Sequence, residues 1–255
     1  MGEVDFGKAA ADYATHRSGF PERTWNELAK AGLDFTGKRA VDLGTGTGAA
    51  ARALALRGAH VVGIDPSVAL TEQASNLDAQ AGVSVRYVEA TAEATGLEPA
   101  SADIVIAAQC WWWFDRPAAM AEATRVLAPG GWLVICSFDW LTLPGNVVEA
   151  TERLIVAANP QWTMGGRNGR HPEWLEELKV GGLEGILAFE FEHDAPYSHE
   201  AWRGRIRASA GVAASLPPEE VRQFDERLAV TLSAGFPDPL LAAHRVYAAL
   251  GQKPS

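Results

Sequence analysis

Between residues 39 and 138 short apolar runs alternate with stretches of helical character. Runs near 39–43, 60–64, 83–89, 103–108 and 132–138 are apolar along most of their length, as expected for parallel strands covered on both faces. Helices are predicted near 49–57, 67–80 and 117–127, with Pro117 at a helix start and Pro129-Gly130-Gly131 as its stop. This order predicts an α/β, doubly wound sheet with right-handed crossovers, whose ligands bind at the carboxyl ends of the strands.

The flanking segments read differently. Helices are predicted at 6–16 and 21–31, so residues 1–35 are expected to form an N-terminal helical cover on a core at 36–140. An amphipathic helix near 144–158, a Gly-, Asn- and Arg-rich loop at 159–172 and a short helix near 173–179 suggest a lid insertion over 141–185. Strands near 186–192 and 239–248, with helices near 199–208 and 217–233 between them, complete a seven-stranded sheet in 186–255.

Composition narrows the function classes. A formal net charge of −10 over 255 residues disfavours binding to nucleic acid. No apolar run approaches a membrane span, and the first residues lack a signal-peptide pattern. Cys110 and Cys136 are expected in buried strands, reduced, which fits a cytoplasmic setting. No Cys/His cluster has metal-ligand spacing, so no metal is expected.

The chemistry concentrates at the strand tips. Asp42-Leu43-Gly44-Thr45-Gly46-Thr47-Gly48 follows the first strand, and such glycines let the backbone turn tightly against a ligand. Gly44-x-Gly46-x-x-Ala49 formally satisfies the dinucleotide fingerprint. Asp42 would then sit beside a pyrophosphate, at a Coulomb cost. S-adenosylmethionine (SAM) carries a sulfonium and an α-ammonium, which the same carboxylate favours. Asp65, 21 residues past Gly44, suits a ribose whichever cofactor binds, with Ser67 available as the helix cap. Thr91 and Ala92 would meet an adenine edge at the third tip. The fourth tip, Gln109-Cys110-Trp111-Trp112-Trp113-Phe114, offers aromatic faces that attract a cation, with at least one Trp expected in the core and one at the pocket.

These tips, together with Arg125-Val126-Leu127-Ala128-Pro129-Gly130-Gly131, occur in the order that resembles the class I SAM-dependent methyltransferases, over roughly residues 36–140. The chain is similar to the small-molecule members of the trans-aconitate and ubiquinone-biosynthesis type, and Tyr13-x-x-x-Arg17 looks like that subgroup too. The resemblance implies a Rossmann-like fold and SAM held by Tyr13, Arg17, Asp42, Gly44, Thr45, Gly46, Asp65, Pro66, Thr91, Ala92 and Gln109. Relatives often have Asp at the place of Thr91, and many have His at the place of Trp112.

Methyl transfer from a sulfonium demands chiefly alignment and exclusion of water. His16 and His171 are the candidate bases, and Trp112 the candidate catalytic-tip residue. Asp139 could orient an acceptor, and Arg167 and Arg170 could bind its carboxylate. Arg203, Arg205 and Arg207 cannot all share one helix face, so at most two would point inward. The expected protein is a monomeric or homodimeric methyltransferase acting on a small aromatic or carboxylate-bearing acceptor. An NAD-dependent oxidoreductase and a SAM-binding protein without transfer activity are the alternatives.

Overall fold

The computed structural model describes residues 19–255, so the helix expected at 6–16, and with it Tyr13, His16 and Arg17, lies outside the described residues. The chain divides into two units that interleave in sequence. One holds Gly19–Phe138, Arg170–Phe191 and Val246–Ser255; the other holds, among its described residues, Asp139–Gly169 and Glu192–Arg245.

The first unit carries α1 (Glu22–Lys30), β1 (Arg39–Leu43), α2 (Ala49–Ala55), β2 (His60–Asp65), α3 (Val68–Ala81), β3 (Arg86–Glu89), β4 (Ala102–Ala108) and α4 (Arg116–Val126). It also carries most of β5 (Leu127–Trp140), α6 (Glu173–Val180), and parts of β6 (Glu184–Tyr197) and β7 (Leu240–Gln252). The sheet has seven strands in the order β3-β2-β1-β4-β5-β7-β6, with β1 to β5 paired in parallel. The sheet therefore turns back at β1 and β4, the switch point where an open α/β sheet leaves a crevice. Register sets the tips level: Asp42 lies opposite Gly63 and Ile106, and Asp65 opposite Glu89.

Strand alternation divides the core between the two faces. Ile104, Ile106, Val134, Cys136, Ala248 and Leu250 pack with Trp25, Leu28 and Leu54. Their neighbours Val105, Ala107, Leu133, Ile135, Tyr247 and Ala249 pack with Trp111, Val126, Trp174 and Leu178. Each fully buried Leu, Ile or Val side chain contributes about 1.5–3 kcal/mol, so both faces must be covered, and the strands read as continuous apolar runs.

Three strands differ in their boundaries from expectation. β5 begins at Leu127 rather than near 132, because Ala102 pairs with Leu127 and the register then shifts before Ile104 meets Trp132. The Pro129-Gly130-Gly131 breaker is thus carried inside the strand as an irregularity, after it has ended α4. β6 and β7 are also longer than their apolar runs suggested.

The second unit carries α5 (Val147–Ala158), α7 (His199–Arg207) and α8 (Pro218–Gly235), packed through Ile155, Trp202, Ile206, Phe224 and Leu228. Asn146 and Ser198 cap α5 and α7 by accepting the amides of Glu149 and Ala201. Buried Glu152 accepts hydrogen bonds from Trp140 Nε1 at 2.9 Å, Thr142 Oγ1 at 2.7 Å and the Gly166 amide at 3.0 Å. The arginines of α7 divide two and one. Arg203 and Arg207, one turn apart, both pair with Asp225, while the Arg205 guanidinium lies 4.8 Å from the centre of the Trp140 ring.

In the first unit, Glu122 ties the segment after the third tip to α4. Its carboxylate accepts the Thr95 amide at 2.9 Å and Arg125 Nε at 2.6 Å. Arg125 first, then Thr95, hold its pKa down to about 2. A depressed carboxylate stabilises above its unfolded value and loses that contribution as pH falls through the folded value. Glu122→Gln should therefore lower stability at pH 7 by about 2 kcal/mol, on the order of 4–8 °C in Tm. The gap to wild type should close near pH 2, as read by thermal denaturation across pH.

Candidate functional site

The glycine turn follows β1 directly. Gly44, Gly46 and Gly48 have φ of +61°, +54° and +74°. Two of them are also sterically committed: a Cβ on Gly44 would lie 2.9 Å from Phe114 Cζ, and one on Gly48 would lie 2.3 Å from Tyr87 Oη. Three backbone amides of the turn donate within the protein. Thr45 N–H bonds the Ile64 carbonyl at 2.9 Å, Gly46 N–H the Asp65 Oδ2 at 2.8 Å, and Gly48 N–H the Thr45 carbonyl at 2.9 Å.

Asp42 lies beneath this turn and is 1% exposed. Its Oδ2 accepts from Thr45 Oγ1 at 2.6 Å and from the Ala51 amide at 3.1 Å. Its buried Oδ1 has no hydrogen-bond partner among the described residues. Burial, opposed by the Thr45 and Ala51 hydrogen bonds and aided by the Asp65 charge, pushes the carboxyl up to about 7. Asp65 is also buried and shifted upward by desolvation. Its Oδ1 accepts the Ser67 amide at 2.9 Å. The expected Ser67 cap is corrected here: Ser67 stands at the N-cap position of α3 but its hydroxyl makes no capping bond. Pro66 is exposed at the same tip.

At the third tip Thr91 is exposed and Ala92 buried, and a one-residue bridge joins Thr91 to Ala94. Glu93 accepts the Asp115 amide at 2.9 Å. At the fourth tip Gln109 has φ of +66°, uncommon for a residue with a Cβ. Its amide donates to Cys136 at 2.8 Å and its side-chain oxygen accepts the Phe138 amide, so Gln109 ties the ends of β4 and β5 together. Cys110 lies just beyond β4 rather than in it. Both cysteines are buried and form no disulfide.

Trp111–Trp113 form a 3-10 turn that periodicity did not reveal. Trp111 is fully buried, with Nε1 donating to Glu177 at 2.7 Å, as expected for a core tryptophan. Trp112 and His171, distant in sequence, come together. Their ring centroids are 5.8 Å apart, and His171 lies flat on Trp174 at 4.2 Å. Tyr247 meets both His171 and Trp174 edge-on. His171 is 6% exposed, with Nδ1 3.5 Å from Glu173. The loop reading of 159–172 therefore does not extend to a solvated His171. Arg170 pairs with the Glu190 carboxylate through two nitrogens. Trp112 Nε1 is buried and has no hydrogen-bond partner among the described residues. Among the described residues no group of three or more His, Cys, Asp or Glu could hold a metal ion, and no helix is long and apolar enough to cross a membrane.

Residues 41–135, from β1 into β5, match the family model described as a methyltransferase domain. An uncharacterized methyltransferase of Mycobacterium bovis is 36% identical over 128 residues, covering 50% of this chain and 49% of that protein. A ubiquinone biosynthesis O-methyltransferase of Paraburkholderia xenovorans is 40% identical over 107 residues, covering 41% and 46%. The chain thus spans about half the length of the curated relatives it matches. A solved putative type II methyltransferase from Anaeromyxobacter dehalogenans is similar over 94% of this chain and 99% of its own, at 25% identity and a TM-score of 0.65. Residues 41–135 thus match a methyltransferase domain, and the seven-stranded sheet has the Rossmann-like α/β fold of the solved methyltransferases it resembles.

Proposed function

We propose that this protein transfers a methyl group from SAM to a small-molecule acceptor by in-line displacement. The observation that carries the reading is the electrostatics of the glycine turn. A pyrophosphate cradle needs free backbone amides and positive potential. Here the Thr45, Gly46 and Gly48 amides already donate within the protein, and two buried carboxylates, Asp42 and Asp65, face the turn. Such a site favours a cation, drawn by the charge of Asp42, whose buried Oδ1 has no hydrogen-bond partner among the described residues.

SAM, when bound, supplies an activated methyl group on a sulfonium. The residues of this chain then have distinct tasks. Asp42 receives the cationic methionine end, with Gly44, Thr45 and Gly46 setting the surface it lies on. Asp65 offers its remaining acceptor capacity to the ribose, while Pro66, Thr91 and Ala92 border the adenine. Gln109 holds the fourth tip at its junction with β5. Trp112 presents an aromatic wall beside the acceptor, and His171 backs that wall as part of the stack. A flat aromatic acceptor suits these surfaces.

Calorimetry with the full chain should show SAM binding and no NADH binding; NADH binding without SAM would overturn the reading. The Asp42 ionisation adds a sign. Cation binding favours the ionised carboxylate, so SAM should bind more tightly as pH rises through about 7, releasing protons as it does so. Asp42→Asn should weaken binding by about tenfold or more at pH 8 and flatten the pH dependence. Without ligand the sign reverses. Asp42 is raised above its unfolded value, so its charge costs stability as pH climbs from about 4 to 7. Asp42→Asn should remove that loss in denaturant titrations.

A further inference from the structure

Tyr87, on β3, does not belong to any of the strand-tip motifs, yet its ring lies across the glycine turn. A Cβ on Gly63 would fall 2.7 Å from Tyr87 Cδ1 and 2.9 Å from Thr45 Cγ2, and one on Gly48 would fall 2.3 Å from Tyr87 Oη. Gly63 and Gly48 thus leave the space that Tyr87 fills. The hydroxyl is fixed from the other side: Tyr87 Oη donates to Asp78 Oδ2 at 2.7 Å, and Arg52 Nε lies 3.0 Å from Asp78 Oδ1. Arg52 in turn donates through Nη2 to the Thr47 carbonyl at 2.9 Å. Arg52, Asp78 and Tyr87 come from α2, α3 and β3, and the network reaches the turn at Thr47, through Arg52, and at Gly48, beside Tyr87 Oη. None of these bonds is made by a group assigned above to a ligand.

We propose that Tyr87 is a positioning residue for the methyl donor, locked by Asp78 and Arg52, and that it keeps the Gly44–Gly48 turn in its binding conformation before ligand arrives. This rests on the reading of that turn as the SAM site. The physical need is entropic. Three alternate glycines make a backbone segment with many accessible conformations. Each residue that must be ordered on binding weakens affinity on the order of tenfold. Asp42 and Asp65 hold the turn from its strand side, and the Arg52–Asp78–Tyr87 network holds its outer side.

The test uses Tyr87→Phe, which keeps the ring and removes only the hydroxyl. Wild-type binding of SAM by calorimetry establishes the underlying reading, and no binding there would defeat that reading rather than this one. Given wild-type binding, Tyr87→Phe should raise the SAM Kd about tenfold, and the amides of Thr45 to Gly48 should exchange hydrogen faster in the free protein. With a methyl acceptor in hand, KM for SAM should rise while kcat at saturation stays near wild type. Asp78→Asn, which keeps an acceptor for Tyr87 but weakens the Arg52 pair, should act in the same direction. Leu228→Ala, a buried-core change in α8 of the other unit, controls for lost stability: it should lower Tm without changing the SAM Kd. An unchanged Kd and unchanged exchange at the turn in both network variants would overturn the proposal. So would a Kd rise in Leu228→Ala equal to theirs at matched loss of Tm.

Discussion

A carboxylate buried at the end of the first strand sets the terms for everything around it. Asp42 is shielded from water, beside a second buried carboxylate, and only one of its oxygens is hydrogen-bonded among the described residues. Desolvating a charge is costly, so such a group either takes up a proton or waits for a cation. Its upward shift to about 7 places it at the balance between those outcomes near neutral pH. The cost of that arrangement in the free protein is the counterpart of the preference for a positively charged ligand proposed for it.

The surrounding fold exists to hold that carboxylate in place. Parallel strands on both sides of β1 bring Asp42 level with Gly63 and Ile106, and the two apolar faces of the sheet leave the strand no freedom to slip. The glycine turn can then lie over the carboxylate because its amides find partners in Ile64, Asp65 and Thr45. Gln109 serves the neighbouring tip in the same way, accepting strain at a left-handed backbone position to join β4 to β5.

Much of this was legible in the chain because it depends on local patterns. The alternation of apolar runs and helical stretches located the described strands and helices to within a few residues. Among the exceptions, the early start of β5 lies where its pairing with β4 continues past the apolar run. Helix spacing alone showed that Arg203, Arg205 and Arg207 could not act together. It could not show that Asp225 would take two of them and Trp140 the third. That at least one of the three consecutive tryptophans would enter the core was foreseeable from residue type; that it is Trp111 was not. The stack of Trp112 with His171 and Trp174 was not, because it joins segments that no periodicity relates.

The amino-acid sequence by itself determined the order of elements, the glycine turn and the sign of charge beneath it, since each follows from residue type and spacing along a few consecutive positions. The tertiary structure alone decided how those features are used. It left one oxygen of Asp42 without a hydrogen-bond partner among the described residues and tied the Thr45, Gly46 and Gly48 amides to the protein. It also set Tyr87 into the gaps at Gly48 and Gly63. These are outcomes of distance and burial between residues far apart in the chain, and such quantities exist only once the sheet has brought its strand ends together.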